Sequence, residues 1–339
     1  MKSALREKFG TYGHEMLLAV LLVALMLVAA RIDPSFVSLK AQQGLSFNAW
    51  DIAILALPMT LIIITGGIDL SVGSTMALTS VTLGMLYRVA GWPVWLAALA
   101  AVVVGILCGM LNGLFVTKVR VHPLIVTLAT LSAFRGLAEG LSLGLADFFH
   151  ASSVYSGFPG PFKQLGQKAL LGNVMGSFAL PAIGWLFIAA AALSALVLAK
   201  TPLGRSLYAI GHNESAARYS GIRVNRVKML IYTLSGMAAG LVSVDYSAWR
   251  DNAQASVGQG IELDVITAVV LGGTSIFGGR GRIIGTVLGV ALIHETREFV
   301  GWHYQKNEWV RLVLGILLVT AVAANGLLSR RSSRRRRSA

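Results

Sequence analysis

The sequence predicts an all-α polytopic membrane protein with about ten transmembrane helices and both termini in the cytoplasm. Three observations carry that expectation. Hydrophobic residues make up 55% of the 339 and charged residues only 13%, about half the share of roughly 25% usual in soluble domains. Mean hydropathy is +0.70, and a soluble fold of this size has no means of hiding so much apolar surface. Apolar runs of about 20 residues, the length that crosses ~30 Å of hydrocarbon, recur along the chain, and basic residues fall unevenly between them.

Taken in order, the runs are 16 to 33, 50 to 65, 70 to 87, 94 to 116, 123 to 145, 180 to 199, 229 to 247, 263 to 279, 283 to 300 and 308 to 328. The second, third, eighth and ninth are short or interrupted by glycine. Residues 1–15, with Lys2, Arg6 and Lys8, form a cytoplasmic N-terminus before an uncleaved first span; a signal peptide would share that charged start, but the further runs favour a span. With the N-terminus inside, the inward gaps hold 19 Lys and Arg and the outward gaps six. Basic residues stay cytoplasmic, so ten spans fit; an odd number would strand the six arginines of 330 to 337 outside. The chain thus divides into the cytoplasmic N-terminus, a transmembrane domain over 16–328 containing a basic cytoplasmic loop at 200–228, and a basic tail over 329–339. That tail fits an anchor against anionic membrane lipid. Trp92, Trp95, Trp302, Tyr304 and Trp309 fall near span ends, as interfacial aromatics do. An outward stretch over 146–179, rich in Gly, Ser and Phe, reads as a partly ordered surface patch.

The formal net charge of +14 would suggest nucleic acid in a soluble protein. Placed along the chain it becomes a topology signal, and no nucleic-acid partner is expected. Cys108 is the single cysteine, the six histidines are scattered, and neither a zinc spacing nor a helical histidine pair occurs. Neither a metal nor another cofactor is expected, and no catalytic residues. The sequence lacks GxxxxGK[ST], so a nucleotide that drives this chain has to bind another subunit.

Ionisable groups persist in a bilayer only where they face protein or water. Asp69 lies in TGGIDLSVGS (65–74), and two readings stand. In one the helix breaks, and Asp69, Ser71 and Ser74 line or gate a wet path; in the other Asp69 sits in a cytoplasmic turn at a helix N-terminus, where a carboxylate complements the dipole. A similar run, DVITAVVLGGTSIFGG (264–279), ends in glycines, and the Gly67–Gly73 interval equals Gly273–Gly279. A diverged duplication and chance both account for this, and either way backbones can approach closely at Gly272, Gly273, Gly278 and Gly279; Gly272 and Gly273 are pathway or gating candidates. Arg135 and Glu139 stand four apart in the fifth run and can neutralise each other, as a structural ion pair or a polar pathway position. Asn112 reads as an interhelical hydrogen bond.

Four segments together carry a family resemblance: TGGIDLSVGS at 65–74, GMLNGLFVTKVRVHPLIVTLATLSAFRGLA at 109–138, LGRSLYAIGHNESAARYSGIRVNRVKMLIYTLSGMAAGLVS at 203–243 and GIELDVITAVVLGGTSIFGGRGRIIGTVLGV at 260–290. They resemble the permeases of bacterial ABC sugar importers, the ribose, xylose, arabinose, rhamnose and autoinducer-2 group. The resemblance implies an inner-membrane permease without its own ATPase site, paired with a second copy or a paralogue. It implies docking to a cytoplasmic ABC ATPase and loading by a periplasmic sugar-binding protein. NESAARYSGI at 213–222 matches the family's ATPase-coupling segment, with Glu214, Ala216, Ala217 and Gly221 in the expected places and Ser215 where alanine is common. The physics of the segment is compatible: small residues admit close approach and Gly221 can end a short helix, although its bases would also suit an interfacial helix. The competing class is an ion-coupled secondary sugar carrier using Asp69 or Arg135 and Glu139.

Overall fold

The computed structural model describes residues 2–149, 153–170, 180–305, 308–310, 312–317 and 319–320. In chain order its helices are α1 (Lys2–Ile32), α2 (Leu39–Ile64), α3 (Val72–Arg88), α4 (Val94–Leu114), which continues as a π-helical turn (Phe115–Val119), α5 (Pro123–Phe149), α6 (Gly160–Gln167), α7 (Ala182–Lys200), α8 (Pro202–His212), α9 (Glu214–Tyr219), α10 (Val224–Arg250), α11 (Ile261–Leu271) and α12 (Ile283–Tyr304). Six of the described helical stretches are long and apolar enough to cross a membrane: Gly13–Ile32, Leu39–Ile64, Val94–Val119, Pro123–Gly144, Ala182–Lys200 and Val224–Arg250. α3 has 17 residues, and α12 carries Glu295, Arg297 and Glu298 on a span of 22. The tenth predicted run is helical where it is described, and the arginine tail lies outside the described residues.

One element departs from the sequence expectation. The run 263–279 is not a continuous span: α11 is 11 residues long, about 16 Å of rise, and stops at Gly272. Gly273, Gly278 and Gly279 take φ of +88°, +83° and +74°, a region L side chains avoid. The chain reverses there into a compact turn over 272–282. Hydropathy stays high through this turn, so the run looked longer than the helix that forms.

Burial ranks the helices. In the most apolar windows 72% of α2 and 67% of α10 lies inside the protein against 11% of α1 and 22% of α7; α2 and α10 are the central long rods, α3 is buried beside them over Val72–Gly84, and α1 and α7 present Leu, Val and Ile outward, as lipid-facing helices do. α10 packs on α4 through glycines four apart on both, Gly105 and Gly109 against Gly236 and Gly240; a Cβ on Gly236 would run into the Gly105 carbonyl. Without a hydrophobic drive between helices in lipid, such close backbone approach supplies the packing energy. α3 runs parallel to α10, tied by Thr79 to Ser243 (2.8 Å) and by Ser80 to Ser247 (3.4 Å). Thr60 of α2 meets Thr286 of α12 at 2.8 Å.

At one end of the bundle, two-residue strands β1 (Tyr155–Ser156) and β4 (Asn252–Ala253) pair antiparallel, and Asp251 accepts from the Gly157 and Phe158 amides and pairs with Lys163. Phe158 and Phe162, within the Gly-, Ser- and Phe-rich stretch, are buried against Tyr87 and Trp95. Strands β2 (Ala169–Leu170) and β3 (Leu180–Pro181) form a second such pair. Trp92, Trp95, Trp302, Tyr304 and Trp309 are all partly exposed near helix ends. At the other end α8, the 65–71 connection and the 272–282 turn meet: the Gly279 amide donates to the Ile64 carbonyl (2.8 Å), and Gly278 lies against Gly66 and Gly211.

Candidate functional site

The 200–228 region folds into α8 and α9 with α10 rising directly from it. Asn213 caps α9, its side chain accepting from the Ala216 amide at 2.9 Å, which fills one of the open N-terminal donors. Gly221, at φ +84°, ends the helix, and the Ile222 amide donates back to the Ala217 carbonyl, the glycine-terminated closure of a short helix. Ala217 is buried in a small cluster with Ile210 and Val224, while Ala216 and Gly221 face outward and Tyr219 is 92% exposed. Glu214 is clamped: Oε1 accepts from Arg218 at 2.9 Å and Oε2 from Lys228 of α10 at 2.5 Å. Burial pushes its carboxyl up, but the hydrogen bonds and charges of Lys228 and then Arg218 outweigh that and hold it below the ordinary glutamate value. The segment is therefore small and braced onto the base of α10.

Eleven residues, or about three turns, up α10 from its start at Val224, Ser235 donates to Asp69 Oδ2 at 2.8 Å. Asp69 is 2% exposed; its Oδ1 accepts from the Ser71 amide (2.9 Å) and hydroxyl (2.7 Å), and Asn112 donates to that hydroxyl at 2.7 Å. Ser74 turns back to the Ser71 carbonyl. Asp69 thus stands just before α3 and ties it to α10, and through Ser71 to α4, with both carboxylate oxygens hydrogen-bonded. Asn112 makes the interhelical bond expected of it, to the start of α3. Neither Asp69, Ser71 nor Ser74 lines a described cavity.

Gly272 and Gly273 sit elsewhere, beside a surface depression of about 480 Å³ shared with His14, Glu15 and Tyr208. Gly272 packs on Gly285 of α12, and His14 of α1 meets the Leu271 carbonyl at 2.8 Å. These glycines serve close packing of α1, α11 and α12. Arg135 and Glu139 share α5, but Glu139 is exposed and no ion pair joins them among the described residues. Arg135 instead donates to the carbonyls of Ala255 and of Val257, the latter at 3.0 Å, satisfying backbone oxygens of a non-helical segment that would otherwise be costly at this depth.

That non-helical segment, 251–260, borders a feature that motif reading passed over. It descends from the end of α10 to Gly258, which packs on Gly73 in the first turn of α3, and with α2, α10 and α12 it encloses a polar cavity of about 300 Å³. Arg250 lies 5.2 Å from the Tyr246 ring and 4.4 Å from the Trp249 ring and donates to Asn48 (3.0 Å), which donates to Glu298 (3.2 Å). Arg297 pairs with Asp264. The sequence shows only its scattered pieces, Asp51, Asp245, Asp264 and Arg297, ionisable residues inside or at the edge of apolar runs. Each lies on a different helix, and only the fold convenes them.

Comparison with known proteins now bears on these features. Residues 44–322 match the family described as branched-chain amino acid transport system / permease component. The chain is 34% identical over 319 residues to the Autoinducer 2 import system permease protein LsrD of Escherichia coli strain K12 and to that of Shigella flexneri, covering 93% of each chain. The same protein from Escherichia coli O157:H7 matches at the same identity and coverage. These matches take in the central helices, the clamped α9 and the polar cavity, and they place the chain among transporter subunits that are not themselves enzymes. It is a multi-pass membrane protein and belongs to this permease family, as the permease subunit of a sugar-type ABC importer.

Proposed function

We propose that this chain carries a monosaccharide, or a closely related sugar signal, across the bacterial inner membrane. It acts with a separate cytoplasmic ABC ATPase and is fed by a periplasmic binding protein. It works as a pair, with a second copy or a paralogous permease, through ten membrane segments with both termini in the cytoplasm. α11 and the 272–282 turn supply one of those segments as a half-helix and a re-entrant turn, an arrangement that transporters use around a substrate path.

The observation that carries this reading is the build of α9. A short helix with a capped start and a glycine stop presents Tyr219 and Ala216 outward, and its inner side is fixed to α10 through Glu214 and Lys228. Ala217 packs beneath it. A force applied to α9 by the closing ATPase pair reaches α10 without slack, and α10 extends about 40 Å to the far side of the bundle. Switching between outward-facing and inward-facing forms then follows as a rigid-body motion of packed helices. Asp69 and the Arg135 strap belong to the framework that moves, each engaged with its own fold: Asp69 with Ser71 and Ser235, Arg135 with the carbonyls of Ala255 and Val257.

The test is reconstitution in proteoliposomes with the cognate ATPase and binding protein. ATP-dependent uptake of autoinducer 2, ribose or rhamnose is expected. Glu214→Lys, which sets a third cation beside Arg218 and Lys228, should abolish ATPase co-purification and reduce uptake at least 100-fold. Uptake that proceeds without ATP and collapses with an uncoupler would contradict the proposal.

A further inference from the structure

The polar cavity beside segment 251–260 has no part in the framework just described. It lies at the Arg250 end of α10, 22 residues beyond Lys228, or about 33 Å of helix rise, and so on the face of the membrane opposite the ATPase-docking segment. We propose that it is the outward-facing binding site for a neutral polyhydroxylated ligand, and that the ligand is the transported sugar at the moment it leaves the binding protein. The proposal rests on the sugar-importer reading and names its site.

Its chemistry selects the ligand. Asn48 and Gln259 offer amides that both donate and accept, Arg250 and Arg297 offer guanidinium forks, Asp51 offers a carboxylate and Tyr246 a ring face. Paired hydroxyls on a sugar ring are donors and acceptors at once and match that set, whereas both signs of charge lie close together in the wall, which disfavours a strongly charged ligand. Asp51, which lines the cavity together with Arg250 and Arg297, makes no side-chain hydrogen bond or ion pair among the described residues, in contrast to Asp69. A volume of about 300 Å³ stands at the lower end of the range of small-molecule pockets, roughly 300–1,000 Å³, and suits one monosaccharide. The floor is closed: Met76 lines it, and Gly258 and Gly73 are in backbone contact beneath, so that a Cβ on Gly73 would strike the Gly258 carbonyl. A ligand entering from outside stops there until α3 and segment 251–260 separate. Open backbone at such depth is tolerated where it lines a cavity, and Arg135 satisfies the carbonyls on its far side.

The chain's one cysteine, Cys108, is buried, which makes a thiol probe selective. Gln259→Cys, purified in detergent and reconstituted, should react with a membrane-impermeant maleimide added outside. At saturating concentration, one of autoinducer 2, ribose or rhamnose should slow that reaction at least five-fold, and adding Asp51→Ala should raise the concentration needed at least ten-fold. Ser256→Cys serves if Gln259→Cys does not fold. No reaction from outside, equal rates with all three sugars, or protection by sodium ions alone overturns the assignment. ATP-driven uptake by the unmodified chain is measured separately: uptake without protection defeats the site alone, and protection without ATP-driven uptake defeats the importer reading while the site stands.

Discussion

Two acidic positions, Asp69 just before α3 and Asp51 on α2, behave in opposite ways. Asp69 is sealed, every contact it makes is to its own fold, and it holds α3, α4 and α10 together through Ser71, Asn112 and Ser235. Asp51 borders a cavity and has no side-chain hydrogen-bond partner among the described residues, beside side chains that are only partly engaged with each other. A buried polar group with all its partners rigidifies a structure, while one with spare capacity is a place for something to bind. The comparison teaches that residue type and membrane depth do not decide function, whereas the accounting of donors and acceptors does.

The framework side of this contrast breaks most completely at the glycine seam. Gly236→Leu forces α10 away from the Gly105 backbone and should remove the folded protein, seen as loss of the monodisperse peak after detergent extraction. Next in size is Asp69→Ala, which strips the acceptor from the Ser71 amide and hydroxyl and the Ser235 hydroxyl. At about 1–3 kcal/mol for each buried polar group left unpaired, thermal unfolding should shift downward by many degrees. Asp51→Ala should leave the unfolding temperature within a few degrees of the parent, so equal shifts for the two variants would erase the distinction.

A smaller effect sharpens the docking end. The Glu214 carboxyl titrates below its ordinary 4.5, so the clamp is fully formed above that value and is lost as pH falls through the lower, folded one. Hydrogen exchange of 213–222 should therefore stay slow from pH 7 to 5 and quicken, after correction for intrinsic rates, only in more acidic solution. Quickening near neutrality would show that something other than Glu214 holds α9. The side chain is partly exposed, so the gain in stability is modest.

Much of the architecture was legible in the sequence because hydropathy reports burial in lipid directly. Apolar runs and the skewed placement of Lys and Arg locate most of the long helices, and the 213–222 segment shows its capping residue and its glycine stop. The failure at 263–279 has a physical cause: hydropathy does not register that Gly273, Gly278 and Gly279 adopt backbone angles incompatible with a helix. Arg135 was read against Glu139 because spacing on one helix is visible, whereas its actual partners, the carbonyls of Ala255 and Val257, lie 120 residues away. The outward cavity was illegible for the same reason, since Asn48, Tyr246, Gln259 and Arg297 come from four separate parts of the chain.

The central claim is that α10 connects a cytoplasmic docking segment to an outward sugar site. The direct measurement is the outside accessibility of Gln259→Cys in proteoliposomes to which the ATPase is supplied, with and without ATP, in the parent background and with Glu214→Lys. Nucleotide should change the labelling rate at least five-fold in the parent and not at all with Glu214→Lys. A labelling rate that ignores nucleotide in both, or follows it equally in both, would contradict the account.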